Sequence, residues 1–279
     1  MDSLVSTRWL AEALGAPDLL VLDASTHLPT AGRDALGEFA AGHIPGARFL
    51  DLKTLTNPDD PVPAAPPTRA QFDARMQALG VTGRERIVLY DDSAMRTAAR
   101  AWVLLRMFGV DAAVLDGGLQ KWRAEGRPLE TGLAEAQPGT LCSAGGYGEL
   151  RTKAEMRANI DSKAEQVVDA RDGPRFRGEE PDIRPNMPTG HIPGSRNLPF
   201  GEVLEEDGTF KDAAGIRAAF EASGIDLGRP VVTTCGSGVT ASVLLFALHL
   251  IGKDAALYDG SWSDWGADPE MPVATGPAA

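Results

Sequence analysis

The sequence predicts an α/β chain made of two tandem domains, each a mostly parallel sheet flanked by helices. Three observations carry that expectation. The chain has 279 residues, which suits two domains of the common size of about 100–150 residues. Short β-branched runs ending in Asp or Cys alternate with longer amphipathic segments, the pattern of β–α units. The chain also repeats itself. Leu-Leu-Val-Leu-Asp-Ala at 19–24 returns at 166–170, and Gly42-His43-Ile44-Pro45-Gly46-Ala47 returns as Gly190-His191-Ile192-Pro193-Gly194-Ser195. The run at 87–91 matches 231–235, and Asp116-Gly117-Gly118 with Trp122 matches Asp259-Gly260-Ser261 with Trp265. These four matches are in order, at offsets between 143 and 148, as expected of a tandem of homologous domains.

In chain order the expected strands are 19–24, 87–91 and 112–116, then 166–170, 230–234 and 254–258. Helices over 97–108 and 239–250 follow the central strand of each half. Segment 57–67 holds five prolines in eleven residues, which predicts an extended surface loop. The expected division is a first domain at 1–135, a linker at 136–150 marked by Gly and Pro, and a second domain at 151–279. Residues 273–279 are expected to fray.

Composition narrows the function. With 43% apolar and 24% charged residues and a mean hydropathy of -0.15, the chain falls in the soluble globular class. No apolar run reaches the roughly 18–20 residues of a membrane span, the longest helical stretch being interrupted by His249. The 27 basic against 39 acidic residues give a net charge of -12, which disfavours a nucleic-acid partner or an anionic membrane. The N-terminal residues lack a basic stretch followed by an apolar one, so a cytoplasmic location is expected. Cys142 and Cys235 form no C-x-x-C pair, which predicts neither a disulfide framework nor a zinc site. In a reducing compartment either thiol is a candidate nucleophile.

The repeat is an internal control, since features shared by both halves belong most simply to the fold. By that test the two His-Ile-Pro-Gly turns and the two Asp-Gly…Trp segments are architecture. The sharpest difference lies after the central strand, where the first half has Asp91-Asp92-Ser93-Ala94-Met95-Arg96 and the second has Cys235-Gly236-Ser237-Gly238-Val239-Thr240. In open parallel sheets ligands bind beyond the carboxyl ends of strands, where a loop enters a helix. Gly236 and Gly238 let that loop turn its N–H groups inward, and the helix adds its positive end. Such a cradle stabilises an anion and so favours the thiolate nucleophile. Cys142, between Leu141 and Ser143 with no such cradle, is read as an incidental thiol.

The tandem halves, the two Gly-His-Ile-Pro-Gly turns, the Asp-Gly-Gly…Trp segment and Cys235-Gly236-Ser237-Gly238-Val239-Thr240-Ala241 resemble the two-domain rhodanese-like sulfurtransferases over nearly the whole chain. The resemblance implies two rhodanese-like domains, of which only the second is catalytic, with Cys235 cycling through a persulfide. Asp91 cannot carry a persulfide, which fits a silent first domain. Thiosulfate-using members carry basic residues directly after the cysteine, whereas the neutral loop here is that of the 3-mercaptopyruvate branch. Phosphatases on this fold require Cys-x5-Arg, and the sixth position after Cys235 is Ala241.

Loop 171–184 is richer in arginine than its first-half counterpart, and guanidinium forks bind carboxylates bidentately. The resemblance assigns substrate binding to Arg175 and Arg184, together with Gly236, Gly238, Val239 and Thr240. Arg177 is read as a solvated surface residue. The resemblance further implies a catalytic Ser237 and a relay through His43 and Asp34, although the presence of His191 in the same turn of the other half favours a structural role for both histidines. The expected reaction takes sulfur from 3-mercaptopyruvate, a small-molecule substrate, releases pyruvate and passes the sulfur to an acceptor thiol such as thioredoxin, or to cyanide. No cofactor and no metal are expected. Two alternatives stand beside this reading: a thiosulfate sulfurtransferase on the same scaffold, and a non-catalytic sulfur-relay module.

Overall fold

The computed structural model describes residues 1–133, 136–145 and 150–278. The end of the first expected domain at 134–135, linker residues 146–149 and Ala279 of the expected frayed tail lie outside the described residues. Two sheets form among the described residues, and every strand pair in them is parallel. The first contains β1 (Leu4–Val5), β2 (Leu19–Asp23), β3 (Arg48–Phe49), β4 (Arg86–Tyr90) and β5 (Ala112–Leu115) in the order β1-β5-β4-β2-β3. The second contains β6 (Gln166–Asp169), β7 (Arg196–Asn197), β8 (Val231–Thr234) and β9 (Ala256–Leu257) in the order β7-β6-β8-β9.

Helices connect the strands, as parallel crossovers require. In the first half these are α1 (Thr7–Ala13), α2 (Ala35–Ala41), α3 (Arg69–Ala78), α4 (Ala98–Met107) and α5 (Gly118–Ala124). In the second they are α6 (Lys153–Ser162), α7 (Gly173–Arg177), α8 (Ala213–Ala222), α9 (Val239–Leu250) and α10 (Ser261–Trp265). None of them is long and apolar enough to cross a membrane. The expected strands and helices are therefore present: helix 239–250 with those bounds, strand 87–91 one residue earlier at 86–90, and the others shorter by one to three residues. The expectation for 57–67 needs one amendment: the segment has no helix or strand, but Ala65 and Pro67 are buried, so it is not wholly a surface loop. By contact the chain divides into two compact units, one on each sheet. The first also includes Glu206–Thr209, and the second also includes Pro58–Ala65.

The shared motifs do the same structural work in each unit. His43 and His191 each close an antiparallel bridge, to Glu130 and Ala274. Their Nδ1 atoms meet the carbonyls of Phe39 at 2.9 Å and Phe176 at 2.8 Å, and each imidazole stacks on that same phenylalanine, at 4.0 and 3.8 Å between centroids. Trp122 and Trp265 are fully buried, and their indole N–H groups donate to the Pro128 and Pro272 carbonyls. A buried indole needs such an acceptor, because an unpaired N–H in the core is costly.

The units diverge where β4 and β8 end. In the first, the Asp91 carboxylate accepts the Ser93 and Ala98 N–H groups, each at 2.8 Å, so the start of α4 is filled by a side chain of its own loop. Burial pushes this carboxyl up from 3.8 to about 6, against the pull of those two amides. A carboxyl raised on folding contributes stability that is complete below its unfolded value near 3.8 and lost as pH rises through about 6. Asp91→Asn does not titrate. The stability of the wild type relative to Asp91→Asn should therefore fall by up to about 3 kcal/mol between about pH 3.5 and about pH 7 in urea unfolding. A relative stability that rises over this range would show that the amides outweigh burial.

Candidate active site

Cys235 follows β8 directly and is 2% exposed. Its carbonyl accepts Trp262 N–H at 3.0 Å, and the Gly236 carbonyl accepts Ser263 N–H at 2.9 Å, so the loop after β8 is laced to α10. Gly238, at φ 76°, caps α9 in the left-handed region, where a side chain would be strained. The thiol therefore lies four residues before a twelve-residue helix whose first N–H groups have no intrahelical acceptors. Ser237, Val239 and Thr240 are half-buried, with the two hydroxyls on the loop and on the first turn of α9. In the first unit the strand-end residue is Asp91, whose carboxylate takes up two amides of its own loop and helix start; in the second it is Cys235.

One hydroxyl ties this loop together. Ser261 Oγ accepts the Cys235 N–H at 3.2 Å and the Gly238 N–H at 3.1 Å, and donates to the Tyr258 carbonyl at 2.9 Å. Ser261 is fully buried and sits at φ 52°, unusual for a residue with a Cβ. The matching residue in the first half is Gly118, where a Cβ would come within 2.5 Å of the Asp91 carbonyl.

The arginines of the 171–184 segment separate by environment. Asp172 caps α7 by accepting the Arg175 N–H at 3.0 Å, and its carboxylate also binds the Arg175 guanidinium. Phe176, buried, pins α7 to the core. Arg177 makes an exposed fork with Glu179, 2.7 Å for each bond, in agreement with a solvated role. Arg184 is the one whose described contacts reach the cysteine loop. Its Nη1 donates to the Gly236 carbonyl, and its other edge donates to Asp182 at 2.7 and 2.9 Å. Arg175 makes no such contact among the described residues.

A family model for the rhodanese-like domain matches residues 6–125 and again 152–268. The chain belongs to the rhodanese-like domain family. It is 39% identical over 284 residues to the human 3-mercaptopyruvate sulfurtransferase, covering 98% of this chain and 96% of that one. Similarity to the bovine thiosulfate sulfurtransferase is 37% over 285 residues, with the same coverage of both chains. Among solved structures, one from Escherichia coli described by the rhodanese fold and catalytic mechanism of 3-mercaptopyruvate sulfotransferases superimposes with a TM-score of 0.85 at 34% identity, covering 94% of this chain and 99% of that one.

Two rhodanese-like domains thus stand in one chain, and the other candidate residues divide between them. His43 is held by Phe39, with its Nε2 4.0 Å from Glu130, while Asp34 precedes α2 with an exposed side chain. Among the described residues no hydrogen bond or ion pair joins His43 to Asp34. The geometry shared with His191 explains the buried imidazole structurally. Cys142 is exposed.

Three residues of this rhodanese-like site escaped sequence reasoning. Ser261 belongs to the repeated Asp-Gly…Trp motif, which the repeat marks as architecture, although Gly118 at the matching place makes it an asymmetry. Asp182 was one acid in a charged loop. Arg171 is buried, forks onto the Asp169 carboxylate with bonds of 2.6–3.1 Å, donates to the Gly190 carbonyl and lies 4.7 Å over the Trp262 ring. Burial opposes its charge, but attraction to Asp169, and further to Cys235 and Asp182, holds it above the usual arginine range. A permanent cation thereby lies within electrostatic reach of Cys235.

Ser261→Ala removes the acceptor of two N–H groups and the donor to one carbonyl at a fully buried position. It should lower the unfolding free energy by about 1–3 kcal/mol and reduce sulfur transfer at least about tenfold. Urea unfolding and steady-state assay check this together; a variant that is destabilised yet fully active would show that the hydroxyl serves stability alone.

Proposed function

We propose that this protein is a 3-mercaptopyruvate sulfurtransferase that works through a Cys235 persulfide. The observation that carries the reading is the neutral cysteine loop at the end of β8 with Arg184 lying on it. The identities of 39% and 37% to a 3-mercaptopyruvate and a thiosulfate enzyme are nearly equal, which puts the weight of donor choice on the site. A loop with no cation of its own, beside a guanidinium that can take a carboxylate in a fork, favours an α-keto acid monoanion over a dianion.

In this mechanism the Cys235 thiolate attacks the thiol sulfur of 3-mercaptopyruvate, bound by its carboxylate to Arg184 and Arg175. The S–S bond forms as the C–S bond breaks, and the bonding pair leaves with C3 as the enolate of pyruvate. The proton from the substrate thiol balances that charge, and protonation at C3 gives pyruvate. Loop N–H groups and the Ser237 and Thr240 hydroxyls stabilise the sulfur anion where it develops. An acceptor thiolate then attacks the outer sulfur, carries it away as a persulfide that takes back the proton its own thiol gave up, and returns Cys235 as thiolate; cyanide would leave as thiocyanate. Thioredoxin is a fitting acceptor, and a reducing, cytoplasmic setting keeps both thiols free. The catalytic domain is 151–279, joined by a linker at 136–150 to a first domain, 1–135, that is silent because Asp91 occupies the position of the nucleophile.

Pyruvate release from 3-mercaptopyruvate tests the reading. Cys235→Ser should abolish it, since a hydroxyl forms no persulfide, while Cys142→Ser should stay within about twofold of wild type. Arg184→Ala and Arg175→Ala should each raise KM about 10–100-fold, as for loss of a charge-assisted contact, and Arg177→Ala much less. Ser237→Lys should shift the kcat/KM ratio toward thiosulfate, because added positive charge favours the dianion. A wild type that prefers thiosulfate would make the thiosulfate enzyme the better reading, and one that forms no pyruvate would favour a sulfur relay.

A further inference from the structure

Arg175, Arg177 and Arg184 are each held by a nearby acid of the same segment, yet the three pairs are unlike in one respect. The Asp182 side chain is 2% exposed, against 43% for Asp172 and 56% for Glu179. Exposed pairs of this kind exchange with water and contribute little. A buried carboxylate has no such alternative, and Asp182 accepts the backbone N–H, Nε and Nη2 of Arg184 at 2.9, 2.7 and 2.9 Å. Burial alone would favour its neutral form, but these bonds and the charges of Arg184 and Arg171 keep it ionised.

The consequence lies on the guanidinium's far side. Arginine carries five N–H groups in a fixed plane. Asp182 takes one from Nε and one from Nη2, and the Gly236 carbonyl takes one from Nη1. One N–H on each terminal nitrogen is left, which is the donor set of a bidentate carboxylate contact. The plane also lies against the cysteine loop itself, because a Cβ on Gly236 would stand 3.0 Å from Nη2. Glycine at this position makes room for the cation.

We propose that Asp182 is a positioning residue for the sulfur donor: by gripping one edge of Arg184, it aims the two remaining N–H groups at the donor's carboxylate beside Cys235. The identity of that donor rests on the function proposed above; the grip on Arg184 does not. The geometry also explains how a loop with no basic residue presents a fixed positive group to its substrate.

Asp182→Asn keeps the shape, removes the charge and sets an amide N–H against a guanidinium N–H. KM for 3-mercaptopyruvate should rise about tenfold with kcat changed less than about threefold, and Asp182→Glu should recover part of the loss. In an Arg184→Ala background, Asp182→Asn should add less than about twofold, since the residue acts through that arginine. Fully additive losses would overturn the proposal.

A second readout is independent of sulfur transfer. With Cys142→Ser as the parent, the rate of Cys235 alkylation by iodoacetate relative to neutral iodoacetamide reports the positive charge around the thiol. Asp182→Asn should lower this ratio about as much as Arg184→Ala does; an unchanged ratio in a folded variant would overturn the proposal. If Asp182→Asn fails to fold, Asp182→Glu carries the test, with an intermediate ratio expected and the wild-type ratio contradicting it. If the wild type releases no pyruvate, the reading of the donor fails while the alkylation ratio still judges Asp182.

Discussion

The N–H groups of Cys235 and Gly238 converge on one buried hydroxyl, Ser261 Oγ, at 3.2 and 3.1 Å, and the geometry of the site depends on that convergence. It joins the loop after β8 to the turn after β9, two parallel neighbours whose carboxyl ends emerge on the same edge of the sheet. With the loop held there, Gly238 can take its left-handed conformation, α9 can begin at Val239, and the Gly236 carbonyl can accept both Ser263 N–H and Arg184. A cysteine on a looser loop would have neighbours but no fixed electrostatic surroundings. Preorganised donors matter because they need not reorient when charge develops on sulfur.

The two halves solve the same local problem in opposite ways. A β-strand leading into a buried helix start leaves N–H groups that require an acceptor. In the first half the Asp91 carboxylate supplies it from within the loop. In the second half a serine from the next turn takes two of the loop N–H groups, and the residue at the strand end is free to be a nucleophile. Substitution of Asp by Cys and Gly by Ser at matching places separates the two outcomes on one scaffold.

The longer elements could be read directly from the sequence. β2, β4, β6 and β8 are short runs rich in Leu, Ile and Val, and α4 and α9 are mostly apolar helices, so local composition and burial agree. The strands β1, β3 and β7 have two residues each and exist only because a neighbour pairs with them. No local pattern marks them. At the site, Cys235, Gly236 and Gly238 stood out through the comparison of halves, and Arg184 through resemblance. Ser261 and Asp182 did not, because their roles are defined by partners 26 and 2 residues away and by burial that composition does not reveal. The histidine turns show the reverse case: two copies of one motif correctly predicted two copies of one structure, the imidazole stacked on phenylalanine.

Under the proposed function, only the second half's strand end performs chemistry, through Cys235. Incubating the protein with 3-mercaptopyruvate and no acceptor, then mapping the added sulfur by peptide mass spectrometry, tests it most directly. One sulfur per chain is expected on the peptide containing Cys235, formed together with one equivalent of pyruvate and discharged by a thiol. Sulfur on the Cys142 peptide instead, or pyruvate released with Cys235 unmodified and unneeded, would contradict it.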